Sequence, residues 1–75
     1  MARYFFHVVN SSRAQDREGV ELPDLESARR EAFKDVEDIK RQNFETLDTS
    51  TWATWSIEIC DDQDTVLLVV PFTEN

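Results

Sequence analysis

The residue types that could do chemistry in this chain are few. His7 is the only histidine and Cys60 is the only cysteine. Residues 61–64, which follow that cysteine, include three aspartates. A histidine acts as a general base when a carboxylate orients its ring and a pocket admits a substrate. The neighbours of His7 on its own strand face are apolar, so the carboxylate must come from another strand, and Glu58 is the best candidate.

One hypothesis therefore combines His7, Glu58 and the Asp61–Asp64 turn into a small enzyme or divalent-metal binder. Clustered oxygens are what hard cations prefer, but this turn has neither a glycine at its bend nor a distal glutamate to complete a calcium loop. The pattern favours a solvated acidic turn and a His7 that is packed or hydrogen-bonded. Adjacent aspartates would raise the pKa of the Cys60 thiol, which indicates a spectator cysteine. We expect no metal and no cofactor.

Catalytic sequence motifs are also missing. The chain has no P-loop, no GxGxxG, no GxSxG and no paired cysteine motif. An enzyme is therefore the less favoured class, and a non-catalytic protein the more favoured one.

Length and charge narrow the possibilities further. The 75 residues make one domain, 1–75, with a net charge of −8 from 16 acidic and 8 basic residues. Binding to nucleic acid or to an anionic membrane needs a basic face, which this composition opposes. The chain starts without a secretory signal pattern and has no apolar run long enough to cross a bilayer. These features predict a cytoplasmic protein.

One long helix organises the predicted fold. Apolar residues recur at intervals of mostly three and four between residues 24 and 44, with Ala32 and Val36 at the centre of the stripe. Asp24 follows Pro23 and is a favourable N-cap. The stripe also includes Leu25, Ala28, Phe33 and Ile39. It predicts a single amphipathic helix with one buried side.

Four strands are predicted around this helix, at residues 3–9, 17–22, 52–60 and 65–72. Gly19 is expected to adopt a positive φ or form a bulge, and Pro71 to lie at a strand end. Residues 10–15 and 61–64 are expected to be turns, and 45–51 a connection. The predicted class is α+β, a ββαββ domain whose helix packs on one face of a four-stranded, mainly antiparallel sheet. The strand order 2-1-3-4 is favoured, with 2-1-4-3 as the alternative.

The chain also resembles a known family. The residues that carry this resemblance are Arg3-Tyr4-Phe5-Phe6-His7, Glu18-Gly19-Val20-Glu21-Leu22-Pro23-Asp24-Leu25 and Val70-Pro71-Phe72. They are similar to the small bacterial proteins classed as domain of unknown function 6894. This resemblance implies a bacterial source and a ββαββ fold, and it implies no activity.

Strand alternation suggests how such a protein could work. The side chains predicted to face the helix are Tyr4, Phe6, Val8, Val20, Leu22, Trp55, Ile57, Ile59, Leu68, Val70 and Phe72. Alternation then sends Phe5, His7, Val9, Leu67 and Val69 to the other face, which no second helix covers. Exposed apolar patches mark interaction surfaces, and twofold pairing is the commonest way to close one. We expect an interaction module that forms a homodimer through these five residues, with another protein partner as a further possibility.

Overall fold

The computed structural model describes residues 2–43 and 52–73. The described residues form five strands and one helix in the order β-β-β-α-β-β. Their bounds are β1 (Ala2–Val9), β2 (Arg13–Ala14), β3 (Val20–Leu22), α1 (Leu25–Asn43), β4 (Ser56–Cys60) and β5 (Val66–Pro71). The α+β class and the ββαββ arrangement are confirmed. The second predicted strand, 17–22, is shorter than expected and forms β3 alone, and β2 is an additional strand of two residues.

The sheet is antiparallel throughout its described pairings. β1 pairs with β2, β3 and β4, and β4 pairs with β5. The β1–β4 register places His7 directly opposite Glu58. The crossover through α1 therefore returns the chain beside β1, as the order 2-1-3-4 predicts. The order 2-1-4-3 is wrong, because it requires the first and last strands to pair in parallel.

The helix begins and packs as its sequence pattern predicts. Asp24 caps it, since its Oδ1 accepts the amide N–H of Ser27 at 2.8 Å. Its buried stripe consists of Ala28, Ala32 and Val36. Small side chains at these positions let the helix axis approach the sheet closely. Leu25 is the exception in the predicted stripe, because it lies exposed at the helix start.

The core lies between α1 and one face of the sheet. The buried cluster comprises Tyr4, Ala28, Ala32, Val36, Trp52, Ile57, Ile59, Val70 and Phe72, with Phe6, Val8, Leu22, Phe33, Ile39, Trp55 and Leu68 packed against it. The predicted helix-facing set is therefore confirmed except at Val20, which lies exposed on the short strand β3.

Two predicted boundaries need correction. Residues 52–54 form a helical turn rather than strand, closed by a 3.0 Å hydrogen bond from the Trp55 N–H to the Trp52 carbonyl. This turn places the Trp52 ring 5.4 Å from that of Phe72 in a stacked pair, which buries the indole. Residues 13–14, predicted as part of a turn, pair with the end of β1 as β2.

The Gly19 and Pro71 predictions are confirmed. Gly19 has a φ of 69°, and Pro71 is the last residue of β5. The predicted connection at 45–51 and the last predicted helical residue, Phe44, lie outside the described residues. Within the described ranges, no helix has the length and apolar character needed to cross a membrane.

Candidate functional site

A group of polar side chains gathers on the sheet face opposite α1. We call this group the polar cluster; its members are His7, Arg13, Asp16, Glu58, Cys60 and Asp64. Alternation along β1 places His7 on this face, because Phe6 and Val8 on either side of it pack towards the helix. The other members come from β2, the loop after β2, β4 and the β4–β5 turn. The cluster therefore joins segments that are distant in sequence.

His7 is buried at the centre of the cluster, with 5% of its surface exposed. Its Nδ1 accepts the backbone N–H of Asp16 at 3.0 Å, and its Nε2 lies 3.3 Å from Asp64 Oδ1. A backbone amide can only donate, so Nδ1 carries no proton and the ring proton resides on Nε2, directed at Asp64. Neither ring nitrogen is free to take a proton from a substrate, so this geometry does not form a general base.

The carboxylate beside His7 is therefore Asp64 and not the expected Glu58. Glu58 lies opposite His7 in the strand register, but its carboxylate turns to Arg13, whose Nε is 3.2 Å from Glu58 Oε1. Asp64 can reach the ring because it adopts a positive φ of 63°. This conformation closes the β4–β5 turn, with Asp64 N–H donating to the Asp61 carbonyl at 3.1 Å. The expected partner was on the correct face, but another carboxylate occupies the position.

Arg13 supplies the positive charge of the cluster, and the sequence analysis missed it. Its Nη2 lies 3.0 Å from Asp64 Oδ1 and contacts Cys60 Sγ at 3.7 Å. The hydrogen bond between Arg13 and Asp64 raises the pKa of the arginine and lowers that of the aspartate. Arg13 could have been found by assuming a β-hairpin with its turn at residues 10–12. In that hairpin Arg13 pairs with Val9, which lies on the same face of the sheet as His7.

Asp16 holds the loop that covers His7. Its Oδ2 accepts the N–H of Phe6 at 3.2 Å, and its Oδ1 accepts the N–H groups of Glu18 at 3.1 Å and Gly19 at 3.2 Å. Burial alone would raise the pKa of Asp16, but these three amide donors and the nearby His7 lower it below the ordinary value. Asp16 therefore organises the loop by accepting backbone N–H groups, as turn aspartates commonly do.

Cys60 is fully buried, and the structure gives it no reactive character. Burial is the main cause that raises its thiol pKa, and Asp64 adds to the effect. The direction agrees with the prediction from the adjacent aspartates, although burial is the larger cause. A thiol that resists ionisation is a poor nucleophile.

Three of these side chains are of types that bind metals in proteins. The candidate donor atoms of His7, Cys60 and Asp64 lie within 4.8 Å of one another. The cluster nevertheless fits a guanidinium better than a metal ion, because Arg13 contacts both Asp64 and Cys60. A metal-bound histidine also donates its second ring nitrogen to an acceptor, whereas Nδ1 of His7 faces the amide donor of Asp16.

The acidic turn is a hairpin turn that satisfies its own backbone. Asp61 Oδ1 accepts the N–H groups of Gln63 and Thr65, each at 2.9 Å. With Asp64 paired to Arg13, two of the three turn aspartates are engaged within the protein. Beside the turn lies an open pocket of about 150 Å³, lined by Phe5, His7, Gln15 and four aspartates. It would repel anions and gives no oriented nucleophile or base.

The residues predicted as an interface are not equivalent in the structure. His7 is buried, and Phe5 and Val9 are half-buried. Leu67 and Val69 are exposed, together with Val66 at the start of the same strand. The open apolar part of this face is therefore concentrated on β5, next to the polar cluster.

The sequence of the chain matches one protein family. A family model described as a domain of unknown function (DUF6894) matches residues 3–73, so the chain belongs to this family, as the sequence motifs implied. No curated protein and no solved structure matches it. Membership defines the class without assigning an activity, so function must be argued from the surface and the site.

Proposed function

We propose that this protein is a non-catalytic interaction module that pairs with a second copy of itself. The observation that carries the proposal is the exposure of β5, where Val66, Leu67 and Val69 have 46%, 40% and 49% of their surfaces accessible. Isolated exposed apolar residues are ordinary on soluble proteins, but three on one strand form a contiguous patch.

The position of β5 in the sheet adds a second argument. Among the described residues, β5 pairs with β4 alone, which makes it an edge strand. Edge strands normally avoid association by carrying charged side chains, by being very short or by bulging. The six residues of β5 include no charged side chain, although a register shift occurs opposite the end of β4 and Pro71 closes the strand. The edge is therefore only partly protected against pairing.

Two arrangements of the copies are compatible with this surface. In the first, the sheet faces pack through Leu67 and Val69, with Phe5 and Val9 at the margin and His7 beneath. In the second, the β5 edges pair across a twofold axis. The polar cluster beside the patch favours a contact centred on β5, because burying charged groups is costly without new partners.

A dimer of this kind would compensate for the small size of the domain. A core of this size rarely supplies more than about 3–5 kcal/mol. Covering about 300 Å² of apolar surface contributes roughly 7 kcal/mol at about 25 cal/mol per Å², before the costs of association. This gain is comparable with the stability of the isolated domain, so a second copy is an effective support.

The remaining features support a non-catalytic role in a bacterial cytoplasm. Both ring nitrogens of His7 are engaged, and the single cysteine is free and buried, as a reducing compartment permits. The acidic charge opposes nucleic acid and anionic membrane as partners. A basic protein partner is the further possibility that this charge leaves open.

The proposal is tested by introducing lysine at the exposed β5 residues. The double substitution Leu67→Lys, Val69→Lys should convert a dimer to a monomer in analytical ultracentrifugation, while its circular dichroism spectrum stays unchanged. Leu25→Lys is the matched control, because Leu25 is exposed to a similar degree but lies on the helix. Val20→Lys tests the opposite edge, where β3 could pair with its copy. An unmodified protein that sediments as a monomer would contradict the proposal, and a double variant that stays dimeric would contradict its face-packed form.

A further inference from the structure

One stretch of β1 is completed by a loop instead of a strand. β2 pairs with Val8 and Val9, and β3 pairs with residues 2–4, so residues 5–7 pair with neither. The segment at residues 15–19, which we call the Asp16 loop, is bonded to this stretch. Asp16 Oδ2 accepts the Phe6 N–H at 3.2 Å, and Asp16 N–H donates to His7 Nδ1 at 3.0 Å.

The second of these hydrogen bonds depends on the protonation of His7. Nδ1 can accept only while it carries no proton. In the imidazolium form both ring nitrogens donate, so Nδ1–H would face the N–H of Asp16 and the bond would be lost. The new donor would attract the Asp16 carboxylate, which now holds the amides of Glu18 and Gly19. Proton uptake thus opposes the contacts that fold the Asp16 loop.

The burial of the ring removes the simplest way to avoid this conflict. With 5% of its surface exposed, His7 cannot turn towards water unless a covering segment moves. On its other side Nε2 already faces Asp64, which can accept from either protonation state. The Asp16 loop is therefore the segment that must respond.

We infer that the His7–Asp16 contact is an acid-operated latch: proton uptake by His7 releases residues 15–19 and uncovers the backbone of residues 5–7 in β1. The inference goes beyond self-association, because it concerns another part of the sheet and a regulatory role. Histidine is the side chain that ordinarily changes charge between about pH 5 and about pH 8.

Charged or titratable groups from several segments surround the ring. The groups facing it are Arg13 from β2, Asp16 from its loop, Glu58 and Cys60 from β4, and Asp61, Asp62 and Asp64 from the turn. Carboxylates ordinarily stay ionised above about pH 5. The lowered pKa values of Asp16 and Asp64 keep those two charged throughout, while the raised values of Arg13 and Cys60 keep both protonated.

Amide hydrogen exchange measured by NMR at about pH 7.5 and about pH 5 tests the latch. After correction for the intrinsic exchange rate, protection at Asp16, Glu18 and Gly19 should fall about tenfold on acidification, the effect of losing one hydrogen bond. Protection at Ile57 and Ile59 in the core should not change. The ring ¹⁵N shifts of His7 in the same samples report when the proton is taken up.

His7→Asn is the matched variant. Its amide oxygen stands at the position of Nδ1 and accepts the Asp16 N–H without titrating, so protection at Asp16 should be equal at both pH values. The latch is refuted if the unmodified protein keeps protection at Asp16 while His7 is charged, or if the ring stays neutral at about pH 5. It is also refuted if His7→Asn loses the same protection, or if Ile57 and Ile59 lose protection together with the loop.

Discussion

Adding a single methyl group at Gly19 should lower the stability of this domain strongly. The Gly19 φ of 69° lies in the left-handed region, which costs a residue with a Cβ about 1–2 kcal/mol. Space is also lacking at this position. A Cβ there would lie 2.9 Å from Arg3 Cγ, 3.0 Å from Phe5 Cε2 and 3.0 Å from the Tyr4 carbonyl oxygen. The carbonyl belongs to β1 where it pairs with Val20, so relief would disturb the sheet.

The two effects can be added to predict the outcome. Overpacking costs about 1–3 kcal/mol, so Gly19→Ala should lose roughly 2–5 kcal/mol in total, with the backbone strain included. This is most or all of the about 3–5 kcal/mol expected for a core of this size. The urea midpoint, followed by tryptophan fluorescence, should therefore fall sharply, and the variant should be partly unfolded without denaturant.

A second substitution separates strain from crowding. Asparagine tolerates the left-handed region better than alanine but carries the same Cβ. If strain dominates, Gly19→Asn should be more stable than Gly19→Ala, and if crowding dominates the two should be alike. A Gly19→Ala protein with the unmodified midpoint would refute the reasoning, since it would show that neither the φ nor the close contacts exist in solution.

Three further predictions concern the helix and two carboxylates. Ala32→Asp places an unpaired charge at a fully buried position and should unfold the domain, whereas Lys34→Asp at an exposed position should change the melting temperature little. Equal melting temperatures for the two variants would mean that the helical register is wrong. The pKa of Asp16 is lower in the folded protein than in the unfolded chain. Its ionised carboxylate therefore stabilises the fold above the ordinary aspartate pKa of about 4, and this stabilisation is lost as the pH falls through the lowered pKa of the folded state. Asp16→Asn should therefore lower the melting temperature more at about pH 7 than at about pH 3. Burial, with Glu31 and Asp38 nearby, raises the pKa of Asp35. Asp35→Asn should therefore raise the melting temperature at about pH 7 and have little effect at about pH 3. Changes in melting temperature of the same sign for both variants at about pH 7 would contradict these assignments.

Periodicity in the sequence was enough to predict the helix, its buried stripe and the two faces of the sheet. These features depend on local spacing, which repeats along each element and so can be read without knowing what the element contacts. The alternation of His7 with Phe6 and Val8 correctly placed His7 away from the helix. Val20 did not follow the same rule, since it lies exposed on the three-residue strand β3.

The polar cluster could not be predicted in the same way, because its contacts depend on loop conformation. The choice of Asp64 over Glu58 as the partner of His7 depends on a positive φ in the turn. The sequence of the turn is rich in aspartate and does not indicate which residue adopts this conformation. The cover provided by Asp16 depends on how the chain passes between β2 and β3. The Trp52 turn likewise forms through packing against Phe72 rather than through its own residue pattern.

The most direct test of self-association is sedimentation equilibrium of the unmodified protein over a range of salt concentrations. Two copies that each carry a net charge of −8 repel one another, and salt screens this repulsion while strengthening apolar association. We predict a dimer at high micromolar concentration whose dissociation constant decreases as salt is raised from low to moderate. A protein that sediments as a monomer at high micromolar concentration and moderate salt would contradict both the face-packed and the edge-paired dimer.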